Sequence, residues 1–287
     1  MTSQIKSIVK LLRPKQWVKN AIIFAPITFA GYLLDFDYLL SAVICAFLFC
    51  FLSSSVYVLN DIIDAEKDRM HPKKRKRPIA CGQVSVLQAA ALLVVILSLS
   101  LVIAFLFNIM VFALLAAYFV LMLFYSFYLK RIPILDVMII ASGFVIRLLS
   151  GIAIIDGFET GFSPWMVMCT ILLSLFLALN KRKSEAINGE ENQRDVLKNY
   201  KPEMLDKMIG VVDSSAIMAF CLWVITGDNM AMMLTIPFVI YGLFRYQYLA
   251  YAGGDLETPE LVLLTDKPLL IDIFLWAATC FAIIYIV

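Results

Sequence analysis

The sequence predicts an all-α integral membrane protein, a bundle of nine transmembrane helices with a polar chamber facing the cytoplasm. Three observations predict it. The chain is 62% hydrophobic over 287 residues, with a mean hydropathy of +0.88, where soluble domains are about half apolar. Charged residues make up only 16% and cluster between apolar runs. Those runs are long enough to cross a bilayer. Irregular backbone facing lipid would leave amides without partners, so each run is read as a helix.

In order, the runs lie at roughly 20–34, 38–59, 85–107, 109–128, 134–155, 163–180, 209–226, 230–249 and 269–287. The first is short and extends into the residues before it. A basic segment precedes it, as in a signal peptide, but no small-residue cleavage site follows, so a retained span is expected. The connections at Asp35–Asp37, Asn108, Asp156–Phe162 and Gly227–Asn229 hold no Lys or Arg. The others carry nearly all of the 24 basic residues: Arg13, Lys15 and Lys19; Lys67 to Arg77; Lys130 and Arg131; Lys181 to Lys207; and Lys267. This asymmetry puts the basic side and the N-terminus in the cytoplasm of a multi-pass inner (plasma) membrane protein. No composition break divides the chain, so 1–287 reads as one catalytic domain. Its longest polar segment, 181–208, is expected to hold a short helix near Pro202.

The six cysteines (45, 50, 81, 169, 221 and 280) are scattered, without a CxxC pair, and His71 is the one histidine. That pattern argues against a zinc site or a disulfide framework; buried small hydrophobes are the better reading. Nothing points to a nucleic-acid partner, and a homo-oligomer is compatible with the chain.

One stretch carries chemistry, N-D-I-I-D-A-E-K-D-R-M-H-P-K-K-R-K-R-P-I-A-C-G from Asn60 to Gly82. Asn60, Asp64 and Asp68 stand four apart, with Asp61 three and seven before the same two aspartates. On a helix all four share one face. Oxygen donors on one face suit Mg²⁺, which takes a few carboxylates and leaves other positions to substrate phosphates. Lys73, Lys74, Arg75, Lys76 and Arg77 follow at once. Acids beside such a cluster suit a metal-bound polyphosphate, whose remaining charge the bases take. The competing reading is a solvated helix end and a topology signal.

Polar clusters recur at the cytoplasmic ends of the even spans: Tyr125-Ser126-Phe127-Tyr128-Leu129-Lys130-Arg131 with Asp136, and Asn180-Lys181-Arg182-Lys183-Ser184-Glu185. Singly these read as interfacial snorkelling; together they close one chamber. Arg147 lies eleven residues beyond Asp136, roughly 16 Å deeper at 1.5 Å per residue. A charge at that depth needs a partner or a cavity. An anchoring role is expected, with a lipid-phosphate ligand as the other reading.

The motif Asn60-Asp61-x-x-Asp64-x-x-x-Asp68, with Arg77-Pro78 and Gly82, resembles the first signature of the UbiA superfamily of intramembrane prenyltransferases. The resemblance implies nine transmembrane helices and a Mg²⁺-diphosphate site. Further elements are Arg13-Pro14-x-Gln16-Trp17-x-Lys19-Asn20, His71-Pro72-x-Lys74-x-x-Arg77-Pro78-Ile79-Ala80, Tyr125-Ser126-x-x-Leu129-Lys130, Lys181-Arg182 with Glu185, and Arg245-Tyr246 before Pro259-Glu260 and Asp266. They look most like the branch that moves phosphoribose onto a polyprenyl phosphate. Cys81 stands where a smaller residue is usual. The second aspartate-rich motif of the aromatic-acceptor branch is reduced to Asp136, which argues against that branch.

The resemblance implies 5-phosphoribosyl 1-diphosphate as donor, a polyprenyl phosphate as acceptor and membrane lipid around both. Asn60, Asp61, Asp64 and Asp68 would hold Mg²⁺ and diphosphate, with the three aspartates central to catalysis. Lys19, Lys74, Arg77, Lys130, Lys181 and Arg182 would bind phosphates, and Tyr125 and Asp136 would shape the ribose pocket. The residues fit that chemistry independently. A donor with phosphates at both ends needs many cations, and an acceptor phosphate ionised at neutral pH needs no general base. Two alternatives stay open: transfer of a prenyl group to an aromatic or other small acceptor, and a lipid or solute transporter.

Overall fold

The computed structural model describes residues 2–72, 74–155, 162–187, 195–227, 229–252, 262 and 265–286. Lys73, Asp156, Asp228, Pro259 and Glu260, which the sequence reading used, lie outside the described residues. Among the described residues every regular element is helical. Seven helices are long and apolar enough to cross a membrane: α3 (Phe36–Ile63), α5 (Val86–Phe107), α6 (Ile109–Phe127), α7 (Leu135–Ile154), α8 (Pro164–Ile187), α9 (Pro202–Ile225) and α11 (Lys267–Tyr285). Between and before them come α1 (Thr2–Leu12), α2 (Ala25–Phe29), α4 (Ala65–Met70) and α10 (Ile236–Tyr251).

The short connections work as caps. The first amides of a helix have no intrahelical partner, and short polar side chains supply one. The Asp35 carboxylate accepts from Asp37 N–H and Tyr38 N–H. Ser85 and Gln88 form a reciprocal capping box at the start of α5. Asn108 closes α5 and caps α6, accepting from Met110 and Val111 N–H. Asp266 accepts from Leu269 N–H at the head of α11.

Two expected spans, 20–34 and 230–249, are not continuous α-helices. Pro14–Phe24 is a 3₁₀ helix that runs into α2, and Met230–Thr235 is a 3₁₀ helix that runs into α10. Pro26 and Pro237 fall in the first turn after each change, where a missing N–H costs nothing. The count of helices that qualify by length is therefore seven among the described residues, not nine. The polar segment also differs from expectation. α8 runs on through Ile187, and the short helix expected near Pro202 is the first turn of the 24-residue α9.

The chain forms two compact units. The first comprises Met1–Ile27, Leu33–Tyr128 and Ile146–Asp156; the second comprises Thr28–Tyr32, Leu129–Val145 and Gly157–Val287. α7 thus contributes residues to both. The core of the first gathers Ile23, Leu48, Phe49, Leu52, Leu115 and Tyr118. There Gly151 of α7 meets the 3₁₀ backbone so closely that a Cβ would stand 2.3 Å from the Ile23 carbonyl oxygen. Small residues at such contacts let backbones approach where no hydrophobic force drives helices together. In the second unit α8 packs along α9, burying Val137, Phe176, Leu179, Tyr200, Leu205 and Tyr246.

Candidate active site

The acidic motif begins on α3 and crosses a break. α3 ends at Ile63, Asp64 has ψ 5°, and α4 begins at Ala65. One uninterrupted helix was expected, and aspartate is a weak helix former. The four-residue step survives the break, because Asp64 N–H donates to Asn60 O at 2.9 Å and Asp68 N–H donates to Asp64 O at 2.8 Å. Asp61 and Asp68 are buried; Asn60 and Asp64 are half-buried.

Asp61, only 2% exposed, accepts through Oδ1 from Arg13 Nη2 and, at 3.0 Å, from Arg77 Nη1. Arg77 Nη1 also donates to Asp68 Oδ2 at 2.6 Å. Two carboxylates thus converge on one cationic nitrogen. Among the described residues, no three of His, Cys, Asp and Glu stand close enough together to hold a metal ion. Of the four expected donors, Asp61 and Asp68 meet on Arg77, as buried carboxylates require partners. The donor set still fits Mg²⁺, an oxygen-seeking ion that is usually held by one or two carboxylates plus substrate phosphates. Asp61 and Asp68 already converge on a single positive centre.

Arg13 was not singled out as a site residue. It takes φ 52°, the left-handed region, and lies 5.0 Å over the Tyr57 ring. The basic cluster folds as a series of turns. Lys74 N–H donates to His71 Nδ1, Lys74–Lys76 is a 3₁₀ turn, and Arg77 O accepts from Cys81 N–H. Lys74 and Arg77 are half-buried. So are Lys19, on the 3₁₀ helix Pro14–Phe24, and Tyr125, in the last turn of α6.

That 3₁₀ helix is tied down along its length. Trp17 Nε1 donates to Ser54 Oγ at 3.1 Å, and Asn20 Nδ2 to Cys50 Sγ at 3.1 Å. Arg147, 4% exposed, donates from Nε to Asn20 Oδ1 at 2.7 Å and from Nη2 to the Tyr118 hydroxyl at 2.9 Å. Its guanidinium also lies 4.6 Å over the Tyr118 ring.

The second unit has a polar centre of its own. Asp136 is fully buried and accepts from Arg182 Nε at 2.6 Å and from the Tyr200 hydroxyl at 2.6 Å. Arg182 Nη1 donates to Glu185 Oε2. Arg182 was expected to bind phosphate. Instead it is buried between two carboxylates, which take up its charge inside the fold. Lys130 and Lys181 are half-buried. Lys183 pairs with Asp206 and lies 3.7 Å over the Tyr251 ring. Tyr200 escaped the sequence reading, since no pattern links it to Asp136 across 64 positions.

The UbiA prenyltransferase family profile matches residues 22–261. The decaprenyl-phosphate phosphoribosyltransferase of Corynebacterium glutamicum is 32% identical over 299 residues, covering 97% of this chain and 87% of the relative. That of Mycolicibacterium smegmatis is also 32% identical, covering 98% and 93%. A UbiA homolog from Archaeoglobus fulgidus, solved bound to DMAPP and Mg²⁺, superposes with a TM-score of 0.74 at 21% identity, covering 97% of this chain and 99% of that one. The chain is a multi-pass membrane protein and belongs to the UbiA prenyltransferase family.

Proposed function

We propose that this chain transfers 5-phosphoribose from 5-phosphoribosyl 1-diphosphate to a decaprenyl-type polyprenyl phosphate. The observation that carries the proposal is the 32% identity, over 97–98% of the chain, to two decaprenyl-phosphate phosphoribosyltransferases. The family match spans parts of both units, which supports one catalytic domain. The basic connections support an inner-membrane protein with its N-terminus in the cytoplasm. The two composite segments, Pro14–Phe29 and Met230–Tyr251, supply the remaining crossings of a nine-span fold.

The acceptor phosphate oxygen attacks C1 of the ribose, and the C1–oxygen bond to diphosphate breaks with its electron pair on the diphosphate. The acceptor is already an anion, so the step calls for positioning and charge stabilisation rather than a base. Asp61 and Asp68, with Asn60 and Asp64 beside them, would hold Mg²⁺, which would stabilise negative charge on the departing diphosphate. Arg13 and Arg77 hold the acid pair through their guanidiniums. Arg77 would also offer its guanidinium to phosphate oxygens, alongside Lys19 and Lys74. The donor carries phosphate at both ends, which calls for several cationic contacts. Lys130 and Lys181, both half-buried, would serve substrate phosphate, and Arg182 pairs with Asp136.

Mass spectrometry of the products from purified protein, Mg²⁺, 5-phosphoribosyl diphosphate and a polyprenyl phosphate tests the reading. The expected product is polyprenylphosphoryl 5-phosphoribose, with release of diphosphate. Turnover of a prenyl diphosphate with an aromatic acceptor instead would establish the other branch of the family. Product formation in detergent, without a gradient, separates the enzyme from a transporter.

A further inference from the structure

Two residues before Asp136 the backbone does something costly. Ile134 has φ 70°. For a β-branched residue the left-handed region is a genuine outlier, and such conformations persist only where the surroundings over-determine them. Here one distant side chain acts beside the local backbone bonds, in which Ile134 O accepts from Met138 N–H. The Ile134 N–H donates to the Tyr200 hydroxyl at 2.6 Å, and that hydroxyl donates to Asp136 Oδ1 at 2.6 Å. Tyr200 follows the 3₁₀ turn Asp195–Asn199 and is 2% exposed, packed with Val137, Val196 and Leu197. A single phenol oxygen therefore holds both the backbone and the carboxylate of the turn that joins Lys130 to α7. Burial and Asp136 push the Tyr200 phenol well above its ordinary range, so it keeps its proton at neutral pH.

We propose that Tyr200 is a positioning residue for substrate binding: by holding Ile134 in the left-handed region it sets the turn from Leu129 to Asp136, and with it Lys130. The proposal rests on the reading that Lys130 serves a phosphate of the donor. Released from Tyr200, Ile134 relaxes to the β or right-handed region. Lys130 then shifts with the turn, and Asp136 keeps only its Arg182 contact.

The test is rescue. Tyr200→Phe keeps the ring in its apolar seat and removes the oxygen. It should raise KM for 5-phosphoribosyl diphosphate about tenfold, leaving kcat and KM for the polyprenyl phosphate within about twofold. Ile134→Gly alone should leave donor KM near the parent, because glycine adopts φ > 0 without steric cost. The double variant should recover most of the lost donor affinity, since its turn no longer needs the clamp. A merely stabilising tyrosine predicts the reverse, with the double variant worse than either single one. Unchanged donor KM in Tyr200→Phe, or a defect that Ile134→Gly leaves in place, overturns the proposal. Should Tyr200→Phe not accumulate, the double variant decides: donor KM within about threefold of the parent supports the clamp, and a tenfold rise refutes it. Parent turnover is measured first. If it is absent with 5-phosphoribosyl diphosphate, the donor assignment fails by itself. The same variants are then compared with geranyl diphosphate, where the rescue pattern tests the clamp as before.

Discussion

Arg147 Nε reaches Asn20 Oδ1 at 2.7 Å across 127 positions of the chain. The contact joins α7 to the 3₁₀ helix that bears Lys19, and the same guanidinium donates to the Tyr118 hydroxyl. Arg147→Met removes both donors and leaves buried oxygens without partners, at about 1–3 kcal/mol each. Folded yield and melting temperature in detergent should fall. Arg147→Lys should be milder, since an ammonium can satisfy one of the two acceptors. A Met variant as stable as the parent, but with affinity lost for polyprenyl phosphate alone, would make Arg147 a lipid-phosphate ligand.

Asp61 and Asp64 should separate in their effects. Asp61 is buried and contacts both Arg13 and Arg77, so Asp61→Asn should lose turnover and also several degrees of melting temperature. Asp64 is half-buried at the helix break, and Asp64→Asn should lose turnover while melting near the parent. Turnover of both variants at saturating Mg²⁺ would remove these acids from the metal site.

The spans that run length defines were legible in the sequence. Asp35, Ser85, Asn108 and Asp266 each stand where a helix begins. The acidic motif was legible for the same local reason, because a four-residue step survives a kink. Less legible was anything decided by packing between distant segments. The hydropathy of 20–34 and 230–249 matches that of a plain span, yet 3₁₀ turns lead into α2 and α10. The charges of 181–187 read as a connection, yet α8 carries them into the fold, because Asp136 and Asp206 neutralise Arg182 and Lys183. Those partners lie on other helices, and a single sequence carries no sign of them.

Arg77 serves the acids through one nitrogen, Nη1, which meets Asp61 Oδ1 at 3.0 Å and Asp68 Oδ2 at 2.6 Å. A lysine ammonium can make those two contacts but cannot grip a phosphate bidentately. Arg77→Lys should therefore melt near the parent while donor KM rises, by about tenfold for the loss of roughly 1.4 kcal/mol. Arg77→Ala should lose both stability and donor affinity, with lipid affinity little changed. Lost lipid affinity with normal donor KM would move Arg77 to the acceptor site.

Cys81 is the one exposed cysteine among the six, and it follows the basic cluster that the charge asymmetry assigns to the cytoplasm. A membrane-impermeant maleimide should label it in inside-out vesicles and not in intact cells. Labelling from the outside would invert the topology and place the acidic motif on the opposite face.

Arg182 carries the sharpest choice between structure and chemistry. Its Nε donates to Asp136, its Nη1 to Glu185, and the side chain is 2% exposed. Removing one member of such a group leaves uncompensated buried charge, at about 3–5 kcal/mol. Arg182→Met alone should abolish accumulation of folded protein. Adding Asp136→Asn and Glu185→Gln removes the two stranded charges while keeping their shapes. This triple variant should recover folded protein, as judged by a monodisperse profile in detergent. It should bind donor poorly, because an amide at position 136 offers Tyr200 a weaker acceptor than a carboxylate does. If Arg182→Met instead accumulates as the parent does and loses only donor affinity, then Arg182 binds substrate phosphate directly. Asp136 and Glu185 would in that case be its resting partners, exchanged for the donor at each turnover.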